Sequence, residues 1–173
     1  MSRLDTVETK ITTLLETIDG TDQGTYTYNT TTGRVQVFDE VLSLSRNTDY
    51  GHVNHILEQQ EDVGVEAAEF QAGQYAFTQR VIYDIKSKVH NVGSEANAKN
   101  AIRTKMNELL DDLLYLFGNT YTLEGQVSWI KFKSAVREYE DITNNRIQSA
   151  TLVTKWEVVY TQSIANPNVK SCA

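Results

Sequence analysis

The sequence predicts an α+β fold: a mostly antiparallel β-sheet packed by an N-terminal helix and one long central helix. Three observations predict it. From Tyr75 to Val89 apolar residues recur at every second position (Tyr75, Phe77, Val81, Tyr83, Ile85 and Val89), interrupted only by Gln79 and Ser87. A period of two places them on one face of a strand, with Arg80, Asp84, Lys86 and Lys88 on the other. After Asn91, Val92 and Gly93 the period changes. Ile102, Met106, Leu109, Leu113, Leu116 and Phe117 recur at helical spacing, and Leu110 and Leu114 widen the stripe. Leu4, Val7, Ile11, Leu14, Leu15 and Ile18 form a second such stripe at the start of the chain.

Taken in order, the first helix runs roughly from Arg3 to Asp19. Ser2 with Asp5 three residues on resembles a capping box, and Gly20 supplies a stop. Thr25–Tyr28 and Arg34–Phe38 are rich in β-branched and aromatic residues, which predicts two short strands joined by the Thr-rich turn through Gly33. Val41–Asp49 fits a loop or a short turn of helix. His52–Glu61 fits a helix through Val53, Ile56 and Leu57, and fits a strand as well. Glu58, Glu61, Asp62, Glu66 and Glu69 make the stretch up to Gly73 acidic, and it reads as a long exposed connection. The central strand and the helix Ala96–Phe117 follow, with Ser94 as N-cap and Gly118–Asn119 as stop. Val127–Lys133 is a strand. Ser134–Arg146 is a loop in which Asn144 and Asn145 favour a turn. Thr151–Ile164 alternates again: Leu152, Trp156, Val158, Tyr160 and Ile164 share one face, with Lys155 and Glu157 on the other. This second long strand is a natural neighbour for the central one.

A length of 173 residues suits one domain, 1–165, followed by a polar C-terminal arm, 166–173. A net charge of -7 with no basic run argues against nucleic-acid binding as the main activity. The single cysteine, Cys172, leaves no intramolecular disulfide, and neither a signal peptide nor a membrane-spanning run is present. Assembly in a cytoplasm is therefore expected. One proline, Pro167, fits long uninterrupted elements.

The residue pattern closest to a chemical site is His52, His55 and Glu58. On a helix these share a face and suit zinc; on a strand positions 52 and 55 point opposite ways. The pattern also lacks the i, i+4 histidine pair of the metalloprotease signature. Asp111 and Asp112 with Glu108 read as a solvated helix face opposite the leucines. Phosphate-binding glycine loops and nucleophile elbows are absent from the sequence. The tyrosines, numerous enough to suggest a stacking platform, are better explained by packing. No catalytic residue, metal or cofactor is expected, and the chain is not expected to be an enzyme.

Element order and several segments resemble the tail terminator (tail-completion) proteins of tailed bacteriophages. The carriers are the helix Leu4–Ile18, the acidic connection Glu58–Glu69, the long strand Gln74–Val89 feeding the helix Ala96–Phe117, and the late strand TLVTKWEVVYTQS, Thr151–Ser163. The resemblance covers nearly the whole chain and is one of pattern. It implies a strand at His52–Glu61. It further implies a homohexameric ring in the virion that caps the head-proximal end of the tail tube, ends its polymerisation and faces the head-side connector. The tail tube, any sheath and the connector are then the partners, and DNA passes through without specific binding. Contacts are expected at Glu58, Glu61, Asp62, Glu66 and Glu69, at Arg137, Glu138 and Glu140 of the loop, and at Asn166, Pro167 and Asn168 of the arm. The alternatives are another neck protein, such as a connector or stopper, or a minor tail protein. More remote are a small metal enzyme using His52, His55 and Glu58 and a generic ligand-binding module.

Overall fold

The structure, a computed structural model, describes residues 3–18, 24–29, 35–38, 53–59, 64–66, 76–90, 98–143 and 146–163. Along the chain these form α1 (Arg3–Leu15), β1 (Val35–Phe38), β2 (Val53–Gln59), β3 (Gly64–Glu66), β4 (Ala76–His90), α2 (Ala98–Asn119), β5 (Trp129–Thr143) and β6 (Arg146–Ser163). The fold is α+β. The strands form one six-stranded sheet in the order β1-β2-β4-β6-β5, with β3 pairing the start of β4 off that path. Every pairing is antiparallel except β1 with β2.

β4 and β6 are the spine. They pair along their whole shared length, from Ala76 opposite Ser163 to His90 opposite Ser149. The period-two pattern decides what each face meets. Val81, Tyr83 and Ile85 of β4 and Trp156, Val158 and Tyr160 of β6 are buried in one cluster with Val7, Ile11, Leu14, Leu15 and Ile18 of the N-terminal segment and Leu113, Leu116 and Phe117 of α2. A smaller cluster joins Ile102, Met106 and Leu109 of α2 to Ala150 and Leu152 of β6. At roughly 1.5–3 kcal/mol for each fully buried aliphatic or aromatic side chain, these contacts are what hold both helices on the sheet. Trp156 sits at the junction, its ring centroid 4.6 Å from Phe117 and 5.3 Å from Phe132. Its Nε1 donates to Thr154 Oγ1 at 2.9 Å, so the indole is buried without an unsatisfied donor.

Several expectations are corrected. Among the described residues, no ladder joins Thr25–Tyr28 to Val35–Phe38 as the expected hairpin of Thr25–Tyr28 with Arg34–Phe38 requires. Thr27 makes an isolated bridge, and Val35–Phe38 pairs in parallel with Val53–Ile56 of β2 instead. Tyr26 and Tyr28 are used as packing groups: Tyr26 stacks on Tyr115 of α2 with centroids 4.3 Å apart, and Tyr28 meets the same ring edge-on. The expected loop Ser134–Arg146 is strand up to Thr143, because β5 continues past a bulge between Phe132 and Ser134. The acidic connection contains a short strand, β3, with Glu66 opposite Thr78. Gly118 and Asn119 do not stop α2 but form its last residues. The end comes where Thr120 Oγ1 and Asn119 Nδ2 donate to the carbonyls of Leu116 and Tyr115 at 2.6 and 2.8 Å, occupying acceptors the helix leaves open. The following turn passes through three left-handed residues, Leu123, Glu124 and Gly125; only the last, at φ +82°, has the residue type that region favours. Burial of Leu123 and the Lys10–Glu124 ion pair hold the other two there. The expected strand at His52–Glu61 is present as β2, and the expected strand Thr151–Ile164 as β6. Ser94, Gly20 and Cys172 lie outside the described residues.

Candidate functional site

Alternation along three neighbouring strands gathers charge on the sheet face opposite the helices. Arg80, Lys86 and Lys88 come from β4, Lys155 from β6, and Lys131 and Lys133 from β5. Beneath them lie two buried carboxylates. Glu157 Oε1 accepts from Arg80 Nε and its Oε2 from Lys133 Nζ, both at 2.8 Å, while its side chain is only 6% exposed. Asp84 Oδ2 lies 3.7 Å from Lys155 Nζ. The cations of these pairs are far more exposed, at 45%, 46% and 37% for Arg80, Lys133 and Lys155. Two cations on one buried carboxylate offset its desolvation and orient the positive groups outward. Val153 and Val159, buried on the same face, fill the space between.

β5 is an edge strand: among the described residues it pairs only with β6. Beyond the bulge, Ala135, Val136, Arg137, Glu138 and Tyr139 are all exposed, Val136 to 50%. Arg137 Nη2 donates to Asn107 Oδ1 of α2 at 2.6 Å, which ties this half of the strand to the helix. An edge strand of this length presents a row of backbone donors and acceptors suited to a further strand.

Two buried polar clusters complete the interior. Asp112, expected on a solvated face, is fully buried. Its Oδ1 accepts from Tyr26 OH at 2.8 Å and from Asn29 N–H and Nδ2 at 2.9 Å each, which pins the segment before β1 to α2. Burial, reinforced by that carboxylate, pushes the Tyr26 phenol up. At the other cluster Arg3 donates to the Gln126 side chain and carbonyl, Tyr83 OH donates to Glu8 Oε1 at 3.3 Å, and Tyr160 OH donates to Gln79 Oε1. Burial, with Glu8 adding to it, raises Tyr83. Burial pushes Tyr160 to about 12, against the pull of the Arg3 guanidinium. Burial likewise holds Arg3 below its ordinary value, opposed by Tyr160. Local patterning gave no sign of either cluster, because the partners are as far apart as Arg3 and Gln126.

The structure places the expected contact residues unevenly. Glu58 stands on β2 opposite Asp84, and Glu66 on β3 opposite Thr78. Arg137 and Glu138 are exposed on β5, and Glu140 stands on the same strand opposite Ser149. These three therefore lie on a paired edge strand and not on a loop. Glu61, Asp62, Glu69, Asn166, Pro167 and Asn168 lie outside the described residues. So does His52, while His55 sits on β2 opposite Ser87. A strand there removes the helical face on which His52, His55 and Glu58 were to meet. Among the described residues, no group of three or more metal-ligating side chains comes together, and no helix is long and apolar enough to cross a membrane. No model of a known protein family matches the chain, and no curated protein matches it.

Proposed function

We propose that this chain is a structural subunit of a tailed-phage virion. It closes into a ring, caps the head-proximal end of the tail tube, ends tube polymerisation and joins the tail to the head-side connector. The observation that carries the reading is the inequality of the two sheet edges. A closed ring requires each subunit to offer two different surfaces that fit each other head to tail. Among the described residues β1 ends the sheet with four residues, whereas β5 ends it with fifteen, free of proline and exposed from Ala135 to Tyr139. Such an arrangement suits association through surfaces. Glu58 and Glu66 on one side and Arg137, Glu138 and Glu140 on the other supply contacts to neighbouring copies, tube, sheath or connector. Excess carboxylate lets DNA pass without adhering, since like charges repel.

The experiment is tube assembly in vitro. Purified tube protein polymerising in the presence of this chain is expected to give short tubes with a ring at one end in negative-stain images, and a hexamer by light scattering. Tubes of unaltered length, with the chain retained instead on a portal complex, would move it to a stopper or connector role.

A further inference from the structure

The two edges of the sheet fit each other, and we infer that Val136–Tyr139 on the β5 edge of one copy pairs, antiparallel, with β1 of the next copy. Among the described residues β1 pairs only with β2, and β5 only with β6. Strand direction decides how the edges can meet. β1 and β2 run one way, β4 reverses, β6 reverses again and β5 once more, so β1 and β5 run in opposite directions. A second copy that continues the sheet with its helices on the same side therefore lays its β1 antiparallel to β5, the more stable kind of pairing. Register decides where the two meet. Followed across the ladders, Val35 leads through Val53, Val89 and Ala150 to Tyr139, and Phe38 leads through Ile56, Lys86 and Val153 to Val136. β1 thus stands at the level of the exposed stretch of β5, where Val136 is 50% and Tyr139 36% open to solvent. Continuation without slip along the strands pairs Val35, Gln36, Val37 and Phe38 of the neighbour with Tyr139, Glu138, Arg137 and Val136.

The contact is a backbone ladder, and residue type suits β1 to it. Three of its four residues are β-branched or aromatic, and none is charged, so it sets no like charge against Arg137 or Glu138. A second β5 fits less well. Opposite residues of an antiparallel pair share a face, so a dyad through Arg137 or Glu138 sets that residue against its own copy. A dyad through Tyr139 sets Glu138 against Glu140, which leaves only a dyad at Val136. The length of β1 has a further consequence. Four residues span about 13 Å, and a seam of that length buries well under the ~1,200 Å² of a stable pair. Two copies alone are therefore held weakly. In a ring every copy makes two seams and the last one closes intramolecularly, so complete rings form without pairs accumulating.

The inference rests on the ring reading, and cross-linking separates the two. In a Cys172→Ser background, Gln36→Cys combined with Glu138→Cys puts one thiol on each side of the seam. Opposed Cα atoms of an antiparallel ladder lie about 4.5–5.5 Å apart, within disulfide reach. Oxidation is expected to give a ladder of covalent multimers ending at the size of the ring, while Gln36→Cys, Glu138→Cys and Val136→Cys, each made alone, stay monomeric. Hydrogen exchange on the native chain needs no substitution and serves if the double variant does not fold. The amides of Ala135–Tyr139 that point away from β6 are expected to exchange about tenfold more slowly at concentrations where light scattering shows assembly than after dilution. A hexamer with no covalent ladder and unchanged exchange at 135–139 overturns the inference while leaving the ring reading intact. A ladder that ends in open chains supports the seam and removes the ring. Covalent dimers from Val136→Cys or Glu138→Cys alone show two β5 edges meeting and overturn the inference, as does a monomer at every concentration.

Discussion

Asp112 shows how much a single polar side chain can hold in place. It is fully buried, and one of its oxygens takes three hydrogen bonds from Tyr26 and Asn29. Replacing it with alanine removes all three bonds and leaves a cavity where the buried carboxylate stood. Asp112→Ala is expected to lower the unfolding free energy by about 2 kcal/mol or more, and Tyr26→Phe, which removes one bond, by about 1 kcal/mol. Urea titration at constant m-value measures both. Equal small effects from the two would mean the carboxylate is not the anchor described. Nothing in the sequence distinguishes Asp112 from its exposed neighbour Asp111, because its partners are 86 and 83 residues away. Leu113, Leu116 and Phe117 were legible by contrast: their spacing on one helix states which way they point.

Elements differ in legibility for the same reason. Where one face meets the core, alternation or helical spacing is visible, as in β4, β6 and both helices. The distal half of β5 shows neither, because Ala135 to Tyr139 are exposed whichever way they point and no apolar period is selected there. Its strand character comes from pairing with β6, a tertiary effect that local composition does not encode. The parallel pairing of β1 with β2 is similarly non-local, which is why the Thr-rich segment suggested a hairpin. The helical stripe of α2 is narrower than the sequence suggested: Leu113 is wholly buried, whereas its neighbour Leu114 is 39% exposed. Leu113→Ala is therefore expected to cost roughly 2–5 kcal/mol, and Leu114→Ala less than about 1 kcal/mol. Thermal unfolding of the two variants side by side decides the matter. Similar losses at both positions would mean that a further surface covers Leu114.

At the scale of the molecule, Tyr83 and Tyr160 keep neutral phenols at the contact between α1, β4 and β6, beside Glu8 and Arg3. This interior arrangement has a pH consequence whose sign follows from the direction of the shifts. A phenol in the unfolded chain ionises near 10. In the fold Tyr160 ionises at about 12, and Tyr26 and Tyr83 are raised as well. Stability supplied by keeping these groups neutral is fully present below pH ~10 and is lost as the pH rises through the folded values. Alkaline unfolding is thus expected to begin above pH ~10, with the loss of far-ultraviolet circular dichroism accompanied by the tyrosinate absorbance of the buried phenols. Tyr160→Phe gives up the hydrogen bond to Gln79 and is expected to be about 1 kcal/mol less stable at neutral pH. The same variant has one phenol fewer to ionise, so its stability falls less steeply across the alkaline range. A tyrosinate step below pH ~10 that is present in the native chain and absent from Tyr160→Phe, while the dichroism holds, would show that this ring is in contact with water, and the packing of α1 on β4 and β6 would have to be redrawn.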